Sequence, residues 1–220
     1  MYPMSYVVQV KPCSKTTQMI SLTDYIKAFP FANPQSHAPW ELTRNLPALL
    51  EGIIATLDNE YTISDGIAIH KTATIESGVT LKPPVIIGQH CFIGAHAYLR
   101  GGVYLDKSVT IGPACEIKSS IICSASSIAH FNFIGDSIIG SNVNFEAGSI
   151  TTNYHNDRDE KEIIVRYSSE TIRTGVNKFG SLVGDGCRIG ANAVLSPGTI
   201  LPVNTIVGRL QLVDQSRQPP

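Results

Sequence analysis

"VTLKPPVIIGQHCFIGAHAYLRGGVYLDKSVTIGPACEIK", residues 79–118, places Leu or Ile at every sixth position: Leu81, Ile87, Ile93, Leu99, Leu105, Ile111 and Ile117. Two residues before each stands a small or β-branched side chain: Val79, Val85, Cys91, Ala97, Val103, Val109 and Cys115. No helix or hairpin repeats every six residues. A three-sided coil does. Each hexad supplies one short strand and a turn, the large aliphatic points to the axis, and the small residue fills the corner. Glycine often follows the aliphatic, as at Gly88, Gly94 and Gly112, where the chain turns.

The rhythm extends upstream to Ile75 and Ile69 and downstream to Cys123 and Ala129. From 129 the spacing shortens, to Ile134 and Ile139, then returns to six at Phe145 and Thr151. It resumes at Val183, Ile189, Leu195, Leu201 and Val207. This predicts roughly twenty hexads, or between six and seven coils, with a break beside His130. Such breaks interrupt strand stacking and re-aim side chains.

Residues 1–66 do not repeat. Leu46, Leu49, Leu50, Ile53, Ile54 and Leu57 follow helical spacing, with Asn45 as N-cap and Pro47 in the first turn. This helix is expected to pack on or cap the first coil, with Trp40 as an anchor. The fold class is therefore all-β, a parallel β-helix of hexapeptide repeats with a short α-helical N-terminal cap. The segments are the cap (1–66), the β-helix (67–208) and a tail (209–220) too poor in apolar residues to fold alone. A loop inserted at about 155–176 contains "EIIVRY" and "TIRT", which read as a hairpin that covers or obstructs a cleft.

With 17 basic and 18 acidic side chains the charge is balanced, which argues against nucleic-acid capture. No apolar run of about 18 residues suits a membrane span, and the N-terminus does not resemble a secretory signal. A cytoplasmic location is expected. Cys13, Cys91, Cys115, Cys123 and Cys187 are odd in number and widely spaced, so neither disulfides nor a CxxC metal site is expected. The repeat puts four of them inside as small apolar residues.

Arg100 and Lys118 lie 18 residues apart, one above the other on one face, each directly after an inward aliphatic. Stacked cations repel, and a phosphate would relieve the strain. Pairing with acids such as Asp106 or Glu116 is the structural alternative. His130 is the natural proton acceptor near neutral pH. It lies twelve residues past Lys118, two sides around the prism, so a cleft between subunits is one way to unite the three. No two of His70, His90, His96 and His130 are 18 apart, and no metal site is expected.

The segment "EIKSS…AHFNFIGDSIIGSNVNFEAGSITTNY", with "YLRGG" before and "NKFGSLVGDG" after, closely resembles the acetyltransferase domain of the bacterial bifunctional N-acetylglucosamine-1-phosphate uridyltransferase and glucosamine-1-phosphate acetyltransferase. "PWELTRNLPALLEGI" is similar to proteins related to UDP-N-acetylglucosamine pyrophosphorylase. The resemblance implies a left-handed coil, a homotrimer with sites between prisms, and acetyl transfer from acetyl-CoA to an amino-sugar 1-phosphate, without a metal. No glycine-rich "LAAGxGTRM"-like opening occurs near the N-terminus, and the 66 non-repeating residues are too few for a nucleotidyltransferase domain, so uridyltransferase activity is not expected. It implies His130 as general base, with Arg100, Lys118, Phe133, Asn144 and Lys178 at the sugar phosphate. Ala147, Asn153, Tyr154 and Ala191 fall at the acetyl-CoA site. Phe133 replaces the family's substrate-binding tyrosine, Glu146 replaces a glycine, and the C-terminal coil and basic tail are reduced. Those departures keep open an alternative, a sugar-phosphate-binding or trimerisation module that partners a separate nucleotidyltransferase.

Overall fold

A computed structural model describes residues 20–32, 37–168 and 170–216. Cys13 lies outside them. The chain winds into a three-sided prism of parallel strands, one strand per side in each coil, with seven strands on each wall among the described residues. The axis is filled by the residues that the six-residue spacing selects: Leu99, Leu105, Ile111 and Ile117 are fully buried, as are Val183, Ile189 and Leu195 after the insertion. Cys91, Cys115 and Cys187 pack among them.

The rhythm breaks earlier than expected. Arg100 pairs in register with Lys118, but Val103 pairs with Ser120, so one residue is lost between coils. The earlier coil turns its corner through two left-handed glycines, Gly101 and Gly102, whereas the next turns through Ser119 alone. The inward series therefore runs Ile117, Ile122, Ile128, Ile134, Ile139, Phe145. Cys123 and Ala129, read from the sequence as inward, are not on the axis. Cys123 instead packs outside the prism, in a second core.

That second core gives the three walls different characters. On one wall the outward residues are apolar and in mutual register: Ala68, Ile86, Tyr104, Ile121, Ile138, Leu182 and Ile200. Helix α1 (Pro39–Ile54) lies across them through Leu42, Leu46 and Leu50. The insertion forms the antiparallel hairpin Ile164–Tyr167/Glu170–Arg173, whose Ile163, Val165 and Ile172 cover the far end of the same wall. Trp40 meets Phe179 edge-on at 5.9 Å where the two covers join. We call this the sheathed wall. Each fully buried Ile or Leu there contributes about 1.5–3 kcal/mol.

Three expectations are corrected here. The helix covers the side of the stack and not its end, because the exposed apolar surface is on the side. It begins at Pro39, not after Asn45: Ala38 is the N-cap and its N–H donates to the Glu41 carboxylate at 3.1 Å. Pro47 therefore sits mid-helix, a position that normally costs about 3 kcal/mol, and its ring packs on the bare backbone of Gly102. The tail also joins the prism: Leu212–Val213 continues the ladder on Val194–Leu195, and the Gln215 amide brackets Ile200 with two hydrogen bonds.

Candidate active site

The wall that follows the open side of each coil presents Tyr98, Arg100, Glu116 and Lys118 outward in its middle coils, and here the stacked cations are found. Arg100 and Lys118 are register partners on adjacent strands. Each already has an acid. Arg100 reaches Glu116 at 2.6 Å and lies over the Tyr98 ring at 5.7 Å. Lys118 Nζ lies 2.5 Å from Asp136 Oδ2, and Asn153 Nδ2 donates to that same oxygen. Asp136 is 6% exposed at the corner that leads to the sheathed wall. The expected unrelieved repulsion is therefore absent: carboxylates from neighbouring coils neutralise the pair. Asp136 escaped the sequence reading, although its 18-residue offset from Lys118 in "IGD" was there to be read.

Around this pair, Arg100, Lys118, Phe133, Asn153, Tyr154 and Lys178 line one open groove of about 460 Å³. Gly135 lies against Phe133 and Asn153. A side chain there would collide with the Phe133 ring at 2.6 Å and the Asn153 amide at 2.8 Å. Lys161, from the insertion, sits over the outer face of Tyr154 at 5.2 Å. The hairpin itself is packed on the sheathed wall and neither covers nor plugs the groove.

His130 and Asn144 are not among the residues that line this groove. His130 is exposed at the opposite corner of the same wall, beside Phe131, which is 68% exposed with φ of +57°. Its carbonyl accepts from Gly148 N–H across the coil. Asn144 lies on the third, open wall in a shallow cavity of about 440 Å³ with Glu146, Arg188 and Arg209. Glu146 accepts from the Ala191 N–H at 2.8 Å and from Arg209 Nε and Nη2 at 2.8 and 2.9 Å. The Arg209 hydrogen bonds, then the Ala191 N–H, hold its carboxyl down at about 2. Ala147 O accepts from Asn192 N–H. The sequence-selected residues thus form two clusters on adjacent walls, with His130 at the corner between them.

A six-residue rhythm closed into three walls, with a charged groove on one of them, defines a hexapeptide-repeat β-helix protein. The chain belongs to the family described as the GMPPB C-terminal domain, whose profile matches residues 63–172, and the hexapeptide repeat of succinyl-transferase matches 182–208. It is related to the repeat region of the bifunctional GlmU proteins. That of Methanococcus maripaludis is 31% identical over 181 residues, 80% of this chain and 43% of the relative. That of Buchnera aphidicola is 36% identical over 161 residues, 73% of this chain and 27% of the relative. The chain spans less than half the length of these relatives. Among solved structures, a mutant GDP-perosamine N-acetyl transferase from Caulobacter crescentus, in complex with CoA and GDP-perosamine, aligns with a TM-score of 0.29 at 17% identity, over 65% of this chain and 53% of that one. Among the described residues no helix is long and apolar enough to cross a membrane.

Proposed function

We propose that the chain is an N-acetyltransferase that moves the acetyl group of acetyl-CoA to the amine of an amino-sugar 1-phosphate. The observation that carries this reading is the gathering of Arg100, Lys118, Phe133, Asn153, Tyr154 and Lys178 in one groove. Arg100, Lys118 and Lys178 exceed the two carboxylates paired with them by one positive charge, which suits a phosphate monoester, and Phe133 offers an apolar face to a sugar ring. The relatives named GlmU support a sugar acetyltransferase-type function.

In the reaction the amine attacks the thioester carbon, its proton passes to His130, and the tetrahedral oxyanion collapses to the amide with loss of the CoA thiolate. General-base help is worth about 10²–10⁴-fold. The resemblance assigns the thioester to the backbone at Ala147 and the cofactor arm to Asn153, Tyr154 and Ala191. Arg188 and Arg209 at the rim of the open-wall cavity suit the anionic end of CoA. Because His130 stands at the far corner of its own groove wall, the histidine that serves a groove is assigned to a neighbouring subunit of a homotrimer.

A second reading, a non-catalytic module, is favoured by Glu146, whose carboxylate already takes the Ala191 N–H. One experiment separates them. Free CoA thiol is measured when the protein meets acetyl-CoA and glucosamine 1-phosphate. Wild type should release thiol, and His130→Ala should lose about 10²–10⁴-fold in kcat with an unchanged melting temperature. Mixing His130→Ala with Lys118→Met subunits should restore part of the rate, since a shared site is then intact in some clefts. Near wild-type turnover by His130→Ala would remove the histidine from the chemistry. No thiol release from wild type with any amino-sugar phosphate would leave the binding module.

A further inference from the structure

The groove does not end at Lys178. That side chain also lines a second cavity of about 430 Å³, around the corner toward the sheathed wall, with Thr43, Arg44 and Pro47 of α1, Ser119, Asp136, and Gly175–Asn177 from the base of the hairpin. This cavity exists only because α1 and the insertion were laid on the prism.

The charges of the two cavities are unequal in a telling way. Arg100 and Lys118 are each paired, to Glu116 and Asp136. Among the described residues Arg44 and Lys178 have no ion-pair partner. Asp136, the one acid on the lining, has its Oδ2 taken by Lys118 and Asn153. The uncompensated positive charge therefore lies in the second cavity and at its junction with the first, beyond the stacked pair to which a single phosphate is assigned. Each cavity alone is near the lower end of the roughly 300–1,000 Å³ typical of small-molecule sites. Joined through Lys178, they suit a longer ligand with more than one anionic group.

Resting on the acetyltransferase reading for the first cavity, we infer that the acceptor carries a second anionic group beyond its 1-phosphate, as a nucleoside-diphosphate-linked amino sugar does. Its sugar lies in the Phe133 groove, and its anionic groups run past Lys178 to Arg44 in the cavity between α1 and the hairpin. Arg44 is then a specificity residue: it contacts the part of the ligand that a sugar monophosphate lacks. Arg44 is exposed on the helix surface, so its replacement does not disturb the core.

The test is calorimetric binding, without acetyl-CoA, of UDP-glucosamine and of glucosamine 1-phosphate to wild type and to Arg44→Ala. Wild type should bind UDP-glucosamine the more tightly. Arg44→Ala should weaken UDP-glucosamine by about tenfold or more, the effect of one charge-assisted hydrogen bond, and leave glucosamine 1-phosphate within about twofold. Equal effects on the two ligands, no effect on either, or no preference in wild type would overturn the extended site. Thiol release assays on the same samples keep the two ideas apart. Selective loss of UDP-glucosamine binding without acetyl transfer to either ligand supports the extended site and overturns the acetyltransferase. Transfer to glucosamine 1-phosphate with no role for Arg44 does the reverse.

Discussion

Asp136→Asn removes one negative charge from the groove and keeps the shape of the side chain. In wild type the Asp136 carboxylate holds Lys118 and Asn153, at a site where Lys118 is 14% and Asp136 9% exposed at the side chain. Removing one partner of a buried ion pair costs about 3–5 kcal/mol. Lys118 keeps some solvent, and Asn can still accept one hydrogen bond, so the expected loss is about 2–3 kcal/mol. In a chain of this length each kcal/mol lowers the melting temperature by about 2–4 °C, giving a fall of about 4–12 °C. Ligand binding should move the other way. With Asp136 neutral, the groove carries one more unpaired cation, and a phosphate-bearing ligand compensates it. Scanning calorimetry with and without glucosamine 1-phosphate reads both effects: a lower melting temperature for the free variant and a larger ligand-induced rise than in wild type. A variant that melts within about 1 °C of wild type, or that gains less from ligand, refutes the idea that Asp136 stands in for phosphate at Lys118.

The Glu146 clamp predicts an unusual titration. Because the folded carboxyl is depressed from 4.5 to about 2, its contribution to stability is complete above the ordinary range and is lost only as pH falls from about 4.5 through 2. Carbon-13 NMR of the Glu146 carboxyl should give a midpoint near 2 in wild type and a return toward 4.5 in Arg209→Gln. An ordinary midpoint in wild type would mean the clamp does not form in solution. At the corners of the prism, Gly112→Ala should cost more than about 3 kcal/mol or prevent folding, since a Cβ there would overlap the Ala129 carbonyl oxygen. Gly52→Ala, with nothing within 4 Å, should be neutral or stabilise by about 0.4–1 kcal/mol. Urea midpoints of the two variants in the same direction would contradict this account of coil packing.

The axis of the prism was legible because one physical demand, a large aliphatic filling each side of a narrow core, recurs at a fixed interval. The second core was also written in the chain but at a longer interval. Ile86, Tyr104, Ile121, Ile138, Leu182 and Ile200 stand next to inward residues on every third side, and a reading tuned to six merges them with their neighbours. Cys123 keeps the six-residue count, so counting alone places it on the axis. A first slip sits at Ser119, where one residue turns a corner that Gly101 and Gly102 turn in the coil before; the second, between Ile134 and Ile139, is the shortening visible in the sequence and turns through Asp136. Nothing in a single hexad announces that economy; it emerges only from strand pairing. The start of α1 was missed for a related reason. Asn45 and Pro47 look like a helix opening, while the actual one rests on Glu41 reaching back to a residue, Ala38, that has no capping side chain. In the groove, Arg100, Lys118, Phe133 and Lys178 were found from spacing and resemblance together. Asp136 and Arg44 were not, because the first matters through a carboxylate shared across coils and the second through a helix whose docking face the repeat does not encode.

The sheath also bears on how copies of the chain can meet. A wall whose outward residues lie under α1 and the hairpin has no free strand faces for a neighbouring prism. The two remaining walls meet at the corner that carries His130 and Phe131. There a phenyl ring stands 68% exposed on a backbone held at φ +57°, a conformation that costs a non-glycine residue about 1–3 kcal/mol. Burying such a ring is worth about 1.5–3 kcal/mol, so covering it with another subunit would offset the strain. The side chain that would make this corner an interface is thus next in sequence to the one that would make it catalytic. The groove's own cations face the other edge of their wall, where α1 closes the second cavity.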